Sequence, residues 1–112
     1  MPRPRKCRII HTEPQVTYFK PRGVPLRDLA EVELPMEGFE AIRLADHEGL
    51  HHAAAARRMR VSRQTFGRIL QAARAAVARA LVEGMALRIH GGDYRAGRGP
   101  TADQDAGVPG PA

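Results

Sequence analysis

The stretch HAAAARRMRVSRQTFGRIL, residues 52–70, decides the fold. Ala53, Ala54, Ala55 and Ala56 have the highest helix propensity of any residue type, and they predict a helix over Leu50–Met59. Ser62 follows after Arg60 and Val61, and its hydroxyl can accept from backbone N–H groups of a next first turn, so a second helix starts there. That helix is expected to run to about Glu83 or Gly84, where glycine fits a helix stop. Its apolar residues Phe66, Ile69, Leu70, Ala73, Val77, Ala80 and Leu81 recur at steps of three, four and seven and fall on one stripe. Gln64, Arg68, Gln71 and Ala75 fall on the opposite face, with Thr65 beside them. One face packs, and the other is free to read.

Two short helices that cross steeply over a tight turn need a small residue where they touch and apolar residues where the pair meets a core. With His52 as the first position of the unit, the small contact is Ala56, and the core positions are Ala55, Met59, Val61, Phe66 and Ile69. All comply. This is the pattern of a helix-turn-helix, whose second helix presents its first turn to the major groove of DNA. Arg63, Gln64, Thr65 and Arg68 are the expected base contacts. Arginine can bond guanine and glutamine adenine, each through two hydrogen bonds, and a threonine methyl can pack on that of thymine. Arg57, Arg58, Arg60, Ser62 and Gln71 flank them and are expected on phosphates, which position a protein without specifying sequence. Arg60 occupies a turn position usually held by glycine; a positive φ there costs a non-glycine residue about 1–2 kcal/mol.

Outward from this unit, Met36 to about Asp46 is expected to form a first helix. Met36, Phe39, Ala41, Ile42 and Ala45 lie on its apolar side, and Glu37, Glu40 and Arg43 lie elsewhere on its surface. Gly49 breaks it from the next helix. Glu31–Leu34 alternates as a short strand ended by Pro35, Val16–Lys20 reads as another, and Ala86–His90 as a third that pairs with an N-terminal strand. The expected fold is mainly α: a three-helix helix-turn-helix domain over residues 28–92 with short β strands. It is preceded by an extended, basic, proline-rich arm over 1–27 and followed by a disordered tail over 93–112, rich in Gly, Pro, Ala and Asp.

Charge is distributed unevenly. Residues 1–27 carry seven basic and one acidic side chain, residues 28–48 one and seven, residues 49–90 eight and one, and the remainder two and three. Two basic blocks separated by an acidic one make a directed surface suited to a polyanion. No apolar run approaches the roughly 20 residues that span a bilayer, and no apolar segment resembling a signal peptide opens the chain, so a cytoplasmic, nucleoid-associated protein is expected. Cys7 is the single cysteine, which excludes an internal disulfide and a cysteine-based zinc cluster within one chain. Arg3, Arg5, Lys6 and Arg8 of the arm are expected to add nonspecific affinity by tracking phosphates or entering a minor groove.

The opening MPRPRKCR, the run YFKPRGVPL, the stretch FEAIRLADHEGL, the element MRVSRQTFGRILQAAR and the ending LVEGMALRIHGG resemble the uncharacterised protein family 0251, also called domain of unknown function 134. The resemblance covers about residues 1–92 in register. It implies a prokaryotic DNA-binding protein whose helix-turn-helix is in turn similar to region four of sigma factors, with the helix at Ser62 in the major groove. The chain departs from that pattern at Arg60, where relatives have glycine, and at His51, His52, Ala53 and Ala54, where relatives open the helix with polar or acidic residues. The second departure removes favourable charge from a helix N-terminus.

His47, His51 and His52 lie close in sequence, but Gly49 separates them and no carboxylate is well placed beside them, so they read as solvated surface residues and no metal is expected. Cys7 near His11 reads as a free thiol in a basic arm. No Ser/His/Asp arrangement, phosphate-cradling glycine loop or nucleophile motif is present, so neither an enzyme nor a cofactor is expected. Five aromatic residues provide no stacking platform for RNA. The expected partner is double-stranded DNA, read by a homodimer because one reading head covers few base pairs. The alternative is an interaction module that docks RNA polymerase or another transcription factor.

Overall fold

The structure, a computed structural model, describes residues 7–97. In chain order the elements are β1 (Arg8–Ile10), β2 (Tyr18–Phe19), a single 3-10 turn (Leu26–Asp28), β3 (Glu31–Leu34), α1 (Met36–Ile42), α2 (His52–Met59), α3 (Arg63–Glu83), β4 (Ala86–Ile89) and β5 (Tyr94–Ala96). The three helices lie where the periodicity places them. The first is shorter than expected as a regular α-helix, because Arg43–His47 continue it as a π-turn, in which Glu48 N–H reaches the Arg43 carbonyl at 2.8 Å.

The strands organise more of the molecule than the sequence indicated. In a three-stranded sheet β4 is central, antiparallel to β2 and parallel to β3, with Val32 opposite Leu87 and Leu34 opposite Ile89. Parallel neighbours need a long crossover. Here the crossover from β3 to β4 is the whole three-helix unit, so the sheet closes the two ends of that unit together. Val32 and Leu34 are buried while Glu31 and Glu33 face solvent, as their alternation requires.

A second, two-stranded sheet pairs β1 with β5 in parallel, with Arg8 opposite Tyr94 and Ile10 opposite Ala96. It draws in residues assigned above to the arm and the tail. Ile9 and Ile10 are buried, and Tyr94 packs partly against the same cluster as Ile10, so burial of these side chains holds the short strands in place. Residues 1–6, the start of the arm, and 98–112, the remainder of the tail, lie outside the described residues.

α3 crosses two apolar clusters. Its first half contributes Phe66 and Leu70 to a cluster with Ala41, Leu44, Ala55, Ala56 and Met59 from the other helical segments. Its second half brings Ala73, Ala76 and Val77 to Leu34, Met36, Ile89 and Ile10. Ile42 touches both clusters. Gly38 allows α1 to lie close to α3, since a Cβ there would stand 3.2 Å from that of Ala73 and 2.9 Å from Leu34 Cδ1.

Two positions correct the periodic reading. Leu81, expected on the core stripe, is 81% exposed, whereas its neighbour Ala80 is buried. The 100° step carries position 81 past the edge of the covered arc. Glu40, expected on the surface, has no exposed area. Its Oε1 accepts from Arg43 Nε, and its Oε2 accepts from Arg43 Nη2 and from the His11 backbone N–H, each at 2.9 Å.

Candidate nucleic-acid interface

The connection between α2 and α3 is fixed by hydrogen bonds at both of its ends. Arg60 closes α2 in the left-handed region, φ 58° and ψ 46°. Its N–H reaches the Arg57 carbonyl at 3.1 Å, and the next N–H, of Val61, reaches the Ala56 carbonyl at 3.0 Å. This is the pair of bonds that terminates a helix around a left-handed residue. Arginine here does what glycine does elsewhere, with the strain anticipated from the sequence. Ser62 then caps α3: its Oγ accepts from Thr65 N–H at 3.0 Å and donates to Thr65 Oγ1 at 2.9 Å. The two hydroxyls are engaged with each other, which leaves the Thr65 methyl as the apolar part of that side chain.

The remaining groups around the turn are exposed or partly so. Arg63, Gln64, Arg68 and Gln71 are exposed along α3, and Thr65 is partly so; Arg57, Arg58 and Arg60 are exposed at the end of α2. From Gln64 to Gln71 the helix rises about 10 Å, comparable with the width of a major groove. The core positions behind this surface are closed. Ala55, Ala56, Met59 and Phe66 are buried, and Val61 and Ile69 pack partly against them.

The helical arginines divide by partner. Arg43 is ion-paired with Glu40 and Glu48, Arg74 with Asp46, and Arg79 with Glu83. Arg57, Arg58, Arg60, Arg63 and Arg68 have no acidic partner among the described residues, and no acidic residue occurs between Glu48 and Glu83. Five cations left together repel one another, and a polyanion relieves that repulsion.

Three contacts around the site were not legible in the sequence. His11 Nε2–H donates to the Arg58 carbonyl at 2.8 Å, which satisfies one of the last carbonyls of α2 from strand β1. His52, read above as solvated, is exposed but sets its ring edge-on to Phe66, with centroids 5.3 Å apart. Arg8, assigned to a basic arm, is partly buried in β1, and its N–H donates to the Asp93 carbonyl at 3.2 Å. Arg3, Arg5 and Lys6 lie outside the described residues. Among the described residues no three His, Cys, Asp or Glu side chains form a group able to hold a metal, and no helix is long and apolar enough to cross a membrane.

Comparison with known proteins places the chain among relatives. It is 58% identical over 94 residues to a UPF0251 protein of Desulfosudis oleivorans, across 84% of this chain and 68% of that one. It is 54% identical over 106 residues to a UPF0251 protein of Rhodospirillum rubrum, across 95% and 73%. A UPF0251 protein of Thermoanaerobacter pseudethanolicus is 57% identical over 95 residues, across 85% and 80%. No solved structure matches. The profile described as "Protein of unknown function DUF134" matches residues 1–97, and with these identities the chain belongs to the DUF134 family, the UPF0251 proteins.

Proposed function

We propose that α2, the turn at Arg60 and α3 act as a helix-turn-helix that binds double-stranded DNA in a sequence-specific way and regulates transcription in the cytoplasm. The observation that carries this reading is the group of five arginines without acidic partners, gathered around a capped helix start whose exposed face also carries Gln64 and Gln71. Arg63, Gln64, Thr65 and Arg68 read base edges. Arg57, Arg58, Arg60 and Gln71 hold phosphates, while the Ser62 hydroxyl fixes the start of the helix. The likeness to sigma region four agrees with this division of labour, as does a rigid α2–α3 connection, because base readout requires side chains held in register with the groove.

Selection of genomic fragments with the purified protein at about 150 mM salt, beside Gln64→Ala and Arg68→Ala proteins, tests the proposal. Recovery of a short motif that is lost or relaxed in the variants is the expected result. Equal binding of all fragments, collapsing with added salt in every protein alike, would overturn sequence-specific reading. It would favour a module that docks RNA polymerase or another transcription factor.

A further inference from the structure

Glycine inside a helix weakens it, because glycine forms helix less readily than any residue except proline. Gly67 nevertheless stands within α3, with helix on both sides of it. The other described glycines each have a reason within the chain: a positive φ, as at Gly49 and Gly84, or a neighbour that a Cβ would crowd, as at Gly38 and Gly97. Gly67 has neither. Its φ is not positive, it is partly exposed, and a Cβ there would meet nothing within 4 Å. Nothing among the described residues offsets what this glycine costs the helix.

Around the helix Gly67 lies between two side chains that donate hydrogen bonds. At 100° per residue Arg63, one turn earlier, is about 40° to one side of it, and Gln71, one turn later, is about 40° to the other. Both are exposed, and α3 carries no acidic side chain before Glu83. The line midway between Gln64 and Arg68 runs about 80° further round, which puts Gly67 on the flank of the reading face. With its side chains a helix is about 10–12 Å across, and the major groove is about 12 Å wide. A helix seated on that face therefore has its flanks against the two sugar–phosphate walls. At Gly67 one flank is reduced to backbone.

We propose that Gly67 is where the sugar–phosphate backbone of one DNA strand lies against α3, so close that a side chain there would hold the helix out of the groove. This rests on the reading of α3 as a recognition helix. Helix stability in the free protein is given up for depth of insertion. Gln71, assigned above to a phosphate, stands beside the same wall, and the depth set at Gly67 governs whether Gln64 and Arg68 reach base edges. Gly67 is thus a positioning residue that acts through its neighbours. Because it meets the backbone of the strand, it adds no base preference of its own.

The experiment sets stability against binding, in the full chain, with Gly67→Ala and Gly67→Leu. Both variants should melt above the wild type, the alanine by roughly 4 °C, because each is a better helix former and its Cβ meets open space. On the motif that the wild type selects, affinity should fall with size, by at least about tenfold for leucine and less for alanine. Binding to an unrelated duplex at about 50 mM salt, which charge governs, should change less than about twofold, since no charge is altered. Variants that bind the motif as tightly as the wild type would overturn the proposal and leave DNA reading intact. A G67A protein that melts below the wild type would also overturn it, since the glycine would then serve the fold. Full recovery of the leucine variant when uracil replaces thymine at one position would put a base methyl at Gly67 and overturn the assignment to backbone. A wild-type chain that selects no motif would remove this inference together with the function it rests on.

Discussion

Arg43 donates two hydrogen bonds of 2.9 Å to the carboxylate of Glu40, a side chain with no exposed surface. A third bond of 2.9 Å runs from Arg43 Nη1 to Glu48 Oε2, on the surface. Burial works against the charge of Arg43, but hydrogen bonding and attraction from Glu40, with a contribution from Glu48, outweigh it and hold the guanidinium above its ordinary range. Glu40 also accepts the His11 N–H, so one buried carboxylate ties β1 to α1. Arg43→Met leaves that carboxylate buried without its cation and is expected to destabilise the fold by about 3 kcal/mol in urea denaturation. Glu40→Gln, which keeps an acceptor for His11, is expected to lose less.

The same pair shows where reading from sequence stops. Hydrophobic periodicity assigns Glu40 to the surface because it registers polarity, and it carries no information about a guanidinium three residues on that pays for burial. The elements governed by local rules were legible: the Ser62 cap, the left-handed Arg60, the stop at Gly84 and the packing of Ala55, Ala56, Met59 and Phe66. What escaped is non-local. β5 exists because β1 offers it a parallel edge and Ile10 offers Tyr94 a packing surface, and nothing in the three residues Tyr94–Ala96 alone signals either. The ring contact of His52 with Phe66 depends on how two helices cross. The candidate reading face was legible for the opposite reason, since exposure of a helical face follows from periodicity alone.

Arg60→Gly is expected to stabilise the protein. With φ 58° the arginine holds a conformation that costs about 1 kcal/mol more for it than for glycine, and both turn hydrogen bonds are made by backbone, so they survive the change. A melting temperature raised by several degrees is the expected outcome for a chain of this size, with duplex binding weakened by the lost charge. Arg60→Val should move the melting temperature the other way, because a β-branched residue tolerates positive φ least.

On the proposed interface, phosphate and base positions should separate by salt. Arg57→Ala is expected to weaken binding to all duplexes alike and to reduce the dependence of log K on log salt by about one ion. Gln64→Ala is expected to leave that slope unchanged and to relax discrimination at one base pair, by about 1–3 kcal/mol. Filter-binding titrations on a matched and a mismatched duplex at several salt concentrations distinguish the two. Identical slopes for wild type and Arg57→Ala would remove Arg57 from the phosphate set.

The junction between β4 and β5 depends on Gly92. Its φ of 99° is strained for any L side chain, and a Cβ there would run into the Glu37 carboxylate and the Pro35 ring. Glu37 Oε1 accepts Asp93 N–H at 2.9 Å, and Met36 N–H bonds the Gly91 carbonyl at 2.9 Å, so this loop is bound to the start of α1. Gly92→Ala is expected to cost about 1–3 kcal/mol. Hydrogen exchange should quicken first at Asp93 and in β5, with the helical amides following only as global stability falls.

Asp46 and Arg74 give the fold a pH dependence of known sign. Two hydrogen bonds, of 3.1 and 2.6 Å, join Arg74 to the two carboxylate oxygens of Asp46 and fasten the π-turn to α3. The hydrogen bonding from Arg74 lowers the Asp46 pKa; burial raises it and is outweighed, and the attraction of Arg74 lowers it further. A carboxyl depressed in the folded state contributes stability above its unfolded value, about 4, and loses it as pH falls through the folded value. Asp46→Asn should therefore melt below wild type at pH 7, with a gap that stays constant to about pH 5 and closes in stronger acid. Both side chains are about half exposed, at 54% and 40%, so the gap is small and shrinks in high salt. A gap that persisted at about pH 2 would mean that asparagine disturbs the packing of the π-turn and that the ion pair itself contributes nothing.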